Sequence, residues 1–404
     1  MLKLFNTYGK RTEVFRPVNP DLVTIFTCGP SVYQRSHIGN FRTFLFEDIL
    51  VRYLLFSGYK VRRGMNITDI EDKAIEEAST KGMSVRRLTD RNIREFVGEM
   101  ELLRMRTPDY LPRASESVNE AVEIIEKLLD LGIAYRYKGN IYFDPLKVRG
   151  FGRLYGLDMK RWPERKRRFH KDTYPGVRWN LGDFILWHGY RNGDRDYWDT
   201  ALGRGRPSWN VQDPAMVTRY FHGTLSAYCG GTDNLFRHHD YSLAILEAVR
   251  PFPMARFWLH CQHLHVNGLK MSKSKGNIHY TDTVLKKGYG ADELRFFLVY
   301  GHYREILSYS DVAMEKAAKR LREFKRKVRR INAKAGNRGT GGKESEKIRA
   351  VFAREMDNDL NVKNGFDKVE EALSAIDIGN LNQGGASGII RALREIDEVL
   401  KVIF

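Results

Sequence analysis

The 404-residue chain has only three cysteines, Cys28, Cys229 and Cys261, and they lie far apart. An odd, scattered set argues against a disulfide framework and suits a reducing compartment, so a cytoplasmic location is expected. No apolar run approaches the ~20 residues needed to cross a bilayer. The N-terminal Met-Leu-Lys-Leu-Phe-Asn has no apolar core leading to a small-residue cleavage site, which speaks against export. No internal repeat is visible. Acidic residues are in deficit: 50 Asp and Glu face 68 Lys and Arg, a net charge of +18. Such an excess favours a polyanionic partner such as nucleic acid, although a solvated basic surface gives the same arithmetic.

The remaining composition, 42% hydrophobic and 29% charged, is that of a globular enzyme. The length exceeds what one core organises, so two or three domains are expected. Leu22 to Thr27 is a short apolar, β-branched run ended by Cys28-Gly29-Pro30, and it reads as a strand. Phe41 to Phe56 carries apolar residues at helical spacing and stops at Ser57-Gly58; Lys60 to Ile67 reads as a second strand. Strand, helix, strand at this length is a βαβ unit, which predicts a parallel sheet with ligands at its C-terminal edge.

A further amphipathic helix is expected from about Val118 to Ile133. The Arg-, Trp-, Gly- and Tyr-rich stretch that follows, up to about Pro207, has few clear periods and reads as an insertion (about 115–207). Alternation resumes after Trp209. Beyond Ser310 the chain becomes helical, starting with Ala313 to Ile331, whose 316–330 portion holds nine Lys and Arg against one Glu. A glycine-rich linker is expected at about 335–342. Helical patterns follow at about Glu344–Asp357, Val369–Ile376 and up to Phe404. The expected layout is a catalytic unit over 1–310, split by the insertion, and a helical domain over 311–404.

Two segments carry chemistry. Ser36-His37-Ile38-Gly39-Asn40 lies between the first strand and the long helix, where free N–H groups and the helix dipole suit phosphate. Gly268-Leu269-Lys270-Met271-Ser272-Lys273-Ser274-Lys275-Gly276-Asn277 places two lysines three apart in a loop able to bring charge onto a pyrophosphate leaving group. By composition either could be an ordinary loop. The order Lys-Met-Ser-Lys-Ser, paired with His37-Ile38-Gly39, resembles the two signatures of class I aminoacyl-tRNA synthetases.

Within that class the chain most resembles cysteinyl-tRNA synthetases. The likeness is carried by Thr27-Cys28-Gly29-Pro30-Ser31-Val32-Tyr33, by Asn66-Ile67-Thr68-Asp69-Ile70-Glu71-Asp72-Lys73 and by Gly230-Gly231-Thr232-Asp233. Phe236-Arg237-His238-His239 and Gly301-His302-Tyr303-Arg304 extend it, over about residues 20–365. The resemblance implies an α/β, Rossmann-type parallel-sheet catalytic domain with a connecting insertion and an α-helical C-terminal domain. It implies activation of an amino acid by ATP, with magnesium, and transfer to tRNA. His37, Gly39 and Asn40 then belong with the ATP phosphates, Gly230, Gly231 and Asp233 with the nucleoside, and Lys270 and Lys273 with the leaving group. His37, Lys270 and Lys273 are the expected catalytic residues. Cys28, Gly29, Thr68, Trp209, Asp213, Tyr228 and His238 are the expected amino-acid pocket. Asn40 stands where the family usually has a second histidine.

The resemblance breaks at the metal. Cysteinyl-tRNA synthetases hold zinc with two cysteines, a histidine and a glutamate; this chain keeps Cys28 and His238 but has Asp213 for the second cysteine and Ser242 for the glutamate. Tyr228 and Cys229 replace a histidine and a glycine. Serine is a poor zinc ligand. Cys28, Asp213 and His238 could still form a three-ligand site, assisted by Ser31, but less than one tightly bound zinc and relaxed thiol selection are expected. The family's small anticodon-reading module has no counterpart before Phe404 and is expected to be absent or vestigial. Mycothiol ligase relatives share that shortening but keep the zinc cysteine. Two alternatives stay open: a paralogue that activates another amino acid or serves a small-molecule acceptor, and a non-catalytic nucleic-acid binder. Retention of both lysines and His37 counts against the binder.

Overall fold

The computed structural model describes residues 1–157, 183–271, 275–336 and 342–404. At its centre four parallel strands run in the order Ala255–Cys261, Leu225–Gly231, Val23–Thr27, Val61–Met65. The register pairs Ile25 with both Arg63 and Ala227, so the first strand of the sequence is an inner one. That position explains why four of its five residues are buried, since an inner parallel strand is covered on both faces.

The crossover helix Ile38–Phe56 starts at the first signature and buries thirteen of its nineteen residues. Two of these are acidic and each is paired. Glu47 meets Arg63 at 2.9 Å, and Asp48 meets Arg295 at 2.7 Å. Arg295, on the helix Ala291–Val299, also donates to the carbonyls of Leu400 and Leu103. One guanidinium thus joins the long crossover helix to the last helix of the chain.

The insertion begins with the helix Val118–Asp130 and continues as an antiparallel sheet of Ala134–Tyr137, Asn140–Phe143, Phe184–Gly189 and Gly205–Pro207. Its first hairpin turns on Lys138 and Gly139, both at positive φ (46° and 82°), the two-residue turn that matches strand twist. Strands of three to six residues are too short to show a period, which is why the sequence reads as irregular here.

Among the described residues the C-terminal part holds four helices, Asp311–Asn332, Lys343–Met356, Val362–Ser374 and Gln383–Leu400. The expected linker at 335–342 lies largely outside the described residues. One apolar cluster runs from Leu4 and Ile25 through Leu50 to Phe352, Leu393 and Ile396, so these helices share the core of the sheet. A second, with Phe143, Trp187, Tyr241 and Trp258, lies beneath the insertion. No described helix is long and apolar enough to cross a membrane.

Candidate active site

The first signature is built at the start of the crossover helix. His37 is its N-cap: Nδ1 accepts from the Asn40 backbone N–H at 3.2 Å, and Asn40 Oδ1 accepts from the His37 N–H at 3.0 Å. An imidazole that accepts at Nδ1 carries its proton at Nε2, so Asn40 fixes His37 as a donor. No acidic residue occupies the first turn, which leaves the positive end of the dipole uncancelled. A Cβ on Gly39 would stand 3.0 Å from the His37 ring and 3.5 Å from Met271 Sδ, so the second signature lies directly against the first.

Gly230 and Gly231 end the strand Leu225–Gly231 at the C-terminal edge of the sheet. A Cβ on Gly230 would meet His239 Cε1 at 2.6 Å. Asp233 sits in the short turn that follows, half exposed, with Lys270 Nζ 3.4 Å from its Oδ2. Lys270, Asp233, Gly39 and His37 therefore surround one end of the sheet. Lys273, with Ser272 and Ser274, lies outside the described residues.

The expected amino-acid pocket assembles around Asp213, which is fully buried on the helix Trp209–Tyr220. Its Oδ2 accepts from the Tyr228 hydroxyl and faces His238 Nε2 at 2.9 Å and Cys28 Sγ at 3.5 Å; its Oδ1 accepts from Asn66 Nδ2 at 2.8 Å. Trp209 stacks on the His238 ring with centroids 4.1 Å apart and planes 5° off parallel. Gly29 donates its N–H to Asn66 Oδ1, and a Cβ there would fall 2.0 Å from the Asn66 carbonyl, so only glycine fits. Thr68 joins through Asn66 Nδ2, 3.5 Å from its hydroxyl. Ser31, expected to assist the metal ligands, instead donates its hydroxyl to the Glu71 carboxylate.

Three residues that sequence reasoning did not place in the site belong to it. Asn66 ties Gly29, Thr68 and Asp213 together. His239 Nε2 lies 2.9 Å from Cys28 Sγ, its Nδ1 lies 2.8 Å from His260 Nε2, and His260 Nδ1 lies 2.9 Å from Thr7 Oγ1. The only sequence signal for His239 was its place beside His238; His260 carried none.

Burial and the neighbouring Asp213 carboxylate push the Cys28 thiol well up, and the same two causes raise Tyr228. Burial opposes ionisation of Asp213, but His238, Tyr228 and Cys28 outweigh it and hold the carboxyl below its usual range. Burial lowers His260 to about 3 and raises Glu71 to about 7. Cys28, His238 and His239 form a buried cluster of metal-type donors. Tetrahedral zinc, bonded at about 2.3 Å to sulfur and 2.05 Å to nitrogen, holds S and N about 3.6 Å apart and two N or O ligands about 3.3 Å apart. The 2.9 Å separations of Cys28 from His239 and of His238 from Asp213 are hydrogen-bond contacts and too short for that geometry. As spaced in this structure these donors lack the separations of zinc ligands, and Ser242 stands where the resembling family has a glutamate ligand.

The model of the tRNA synthetases class I (C) catalytic domain matches residues 14–319. The chain belongs to the class I tRNA synthetases. It is 36% identical to a cysteine–tRNA ligase of Chlamydia caviae over the whole chain and 86% of that relative, and 34% identical to one of Koribacter versatilis, covering 82% of it. A solved methionyl-tRNA synthetase of Mycobacterium tuberculosis in complex with methionyl-adenylate superposes with a TM-score of 0.67 at 15% identity, covering 94% of this chain and 92% of that one. A leucyl enzyme of Agrobacterium radiobacter, in a ternary complex with tRNA, gives 0.67 at 12% identity, covering 96% and 85%. The Rossmann-type sheet with its insertion is thus that of a class I aminoacyl-tRNA ligase, cysteinyl-like in sequence.

On the synthetase's basic helix, Asp311–Asn332, the charges divide. Arg320, Arg322 and Lys325 pair with Glu370, Glu293 and Asp292. Lys316, Lys319, Arg329 and Arg330 are exposed and have no ion pair among the described residues.

Proposed function

We propose that this synthetase condenses a small amino acid, cysteine first among them, with ATP and passes the aminoacyl group to tRNA in the cytoplasm. The observation that carries the reading is the meeting of the two signatures, with Met271 against Gly39 and Lys270 beside Asp233. The amino-acid carboxylate attacks the α-phosphorus of ATP; a C–O–P bond forms, and the bond to the β-phosphate breaks as pyrophosphate leaves. In our reading His37 donates from Nε2 to an α-phosphate oxygen, and the bare helix start receives the phosphates. Gly230 and Gly231 let the nucleoside approach the backbone, and Asp233 accepts from ribose hydroxyls. Lys270 leaves Asp233 for the phosphates, and Lys273, with ATP-bound magnesium, neutralises charge that grows on the departing pyrophosphate. A terminal ribose hydroxyl of tRNA then attacks the carbonyl carbon and AMP leaves.

Residues 1–310 serve as the catalytic unit in this reading, with the insertion of about 115–207 over its substrate edge. Residues 311–404 present Lys316, Lys319, Arg329 and Arg330 to tRNA phosphates. Charging of a cysteine-accepting tRNA transcript with labelled cysteine tests the proposal. Labelled aminoacyl-tRNA is the expected product; an adenylate that forms but reaches no tRNA would point to a small-molecule acceptor instead.

A further inference from the structure

The family's way of choosing a thiol is a bond to zinc, and here Asp213 and Ser242 stand at two of its ligand positions. Each candidate donor is already engaged inside the cluster: Cys28 with His239, His239 with His260, His260 with Thr7, and His238 with Asp213. Tyr228 adds a hydroxyl beside these donors, bonded to Asp213 and 3.9 Å from Cys28 Sγ. Ser242, where the resembling family has a ligand, is fully buried, and its Oγ has no hydrogen-bond partner among the described residues; nor has His238 Nδ1, also buried.

We propose that this pocket selects its amino acid without a metal, through hydrogen bonds around the Tyr228–Asp213 pair, and takes small side chains that end in S–H or O–H. The inference rests on the proposed amino-acid activation and deepens it. A side chain that can donate or accept can join the hydrogen bonds of Tyr228 and Asp213, and an apolar group of the same size cannot. Alanine is therefore rejected strongly. Serine is rejected only about 10²-fold, the scale on which shape and hydrogen bonding alone separate near-isosteres. A metal–thiolate bond would reject the harder oxygen donor much more sharply.

The test is metal analysis of the purified full chain together with amino-acid-dependent ATP–pyrophosphate exchange on cysteine, serine and alanine. We expect less than about 0.1 zinc per chain, exchange that survives a strong zinc chelator, and a cysteine-over-serine ratio in kcat/KM near 10². Tyr228→Phe, checked for folding by circular dichroism, should raise KM for the amino acid at least about tenfold with KM for ATP unchanged. One tightly bound zinc in the wild-type chain, released by Cys28→Ser, would overturn the inference, as would an unaltered amino-acid KM in Tyr228→Phe. If no amino acid supports exchange, the activation reading itself fails, and the zinc content still decides whether the pocket is a metal site.

Discussion

Replacing Asp213 by alanine is the perturbation whose cost follows most directly from the geometry. The carboxylate is fully buried and is the acceptor for the Tyr228 hydroxyl, for Asn66 Nδ2 and for His238 Nε2. Truncation strands all three donors in a site closed to water. A buried donor left unpaired costs about 1–3 kcal/mol, and three are stranded together. We therefore expect Asp213→Ala to lower stability by at least about 3 kcal/mol. Asp213→Asn, which keeps the shape and one acceptor oxygen, should lose about half as much. Urea unfolding followed by tryptophan fluorescence reads this locally, because Trp209 stacks on His238 and Trp258 lies 4.8 Å from the Tyr228 ring. Coincidence with circular dichroism decides whether one transition is being measured. The carboxyl is held below its usual range in the folded chain, so its contribution is complete above the unfolded value near pH ~4 and is lost as pH falls through the lower folded value. The gap between wild type and Asp213→Asn should close in acid. An Asp213→Ala chain within about 0.5 kcal/mol of wild type would refute the network.

Three further outcomes are expected. Lys273→Ala should slow adenylate formation at least ~10²-fold with little change in ATP affinity, since charge on a developing leaving group acts in the transition state; unchanged turnover in rapid-quench kinetics would remove the loop from catalysis. Glu71, raised to about 7 by burial, binds more protons folded than unfolded between pH ~4.5 and that value, so it makes stability fall as pH rises through this window. Glu71→Gln should remove a fall of up to about 3 kcal/mol from denaturation curves at pH 5 and 8, and parallel pH profiles would contradict this. Replacing Lys316, Lys319, Arg329 and Arg330 with alanine should flatten the salt dependence of tRNA binding by up to ~3 to 4 in log–log slope; an unaltered slope would put tRNA elsewhere.

Much of the fold was legible because its signals are local. The strand Val23–Thr27 is rich in β-branched residues, the helix Ile38–Phe56 repeats apolar residues at helical spacing, and His37-Ile38-Gly39-Asn40 marks the turn between them. The expected helix at Val369–Ile376 proves to start at Val362, capped by Asn361, since Lys363, Asn364 and Gly365 hide its first turn. Ile133, expected to end a helix, lies beyond Asp130, after Gly132 at positive φ. The residues of the buried cluster could be named from the sequence, but their connections could not. Cys28, Asp213, Tyr228 and His238 were each named, but Asp213 and Cys28 are 185 positions apart, and only the fold shows that they share a hydrogen-bond system. His239 and His260 meet across two neighbouring elements, a relation no spacing encodes.

Amino-acid-dependent exchange of labelled pyrophosphate into ATP, run across all the protein amino acids with the full chain, tests the central claim most directly. The account predicts exchange that depends on an amino acid, strongest with cysteine, detectable with serine and absent with alanine. No exchange with any amino acid, from a folded chain that still binds tRNA, would contradict it and make the protein a binder that kept a synthetase's fold.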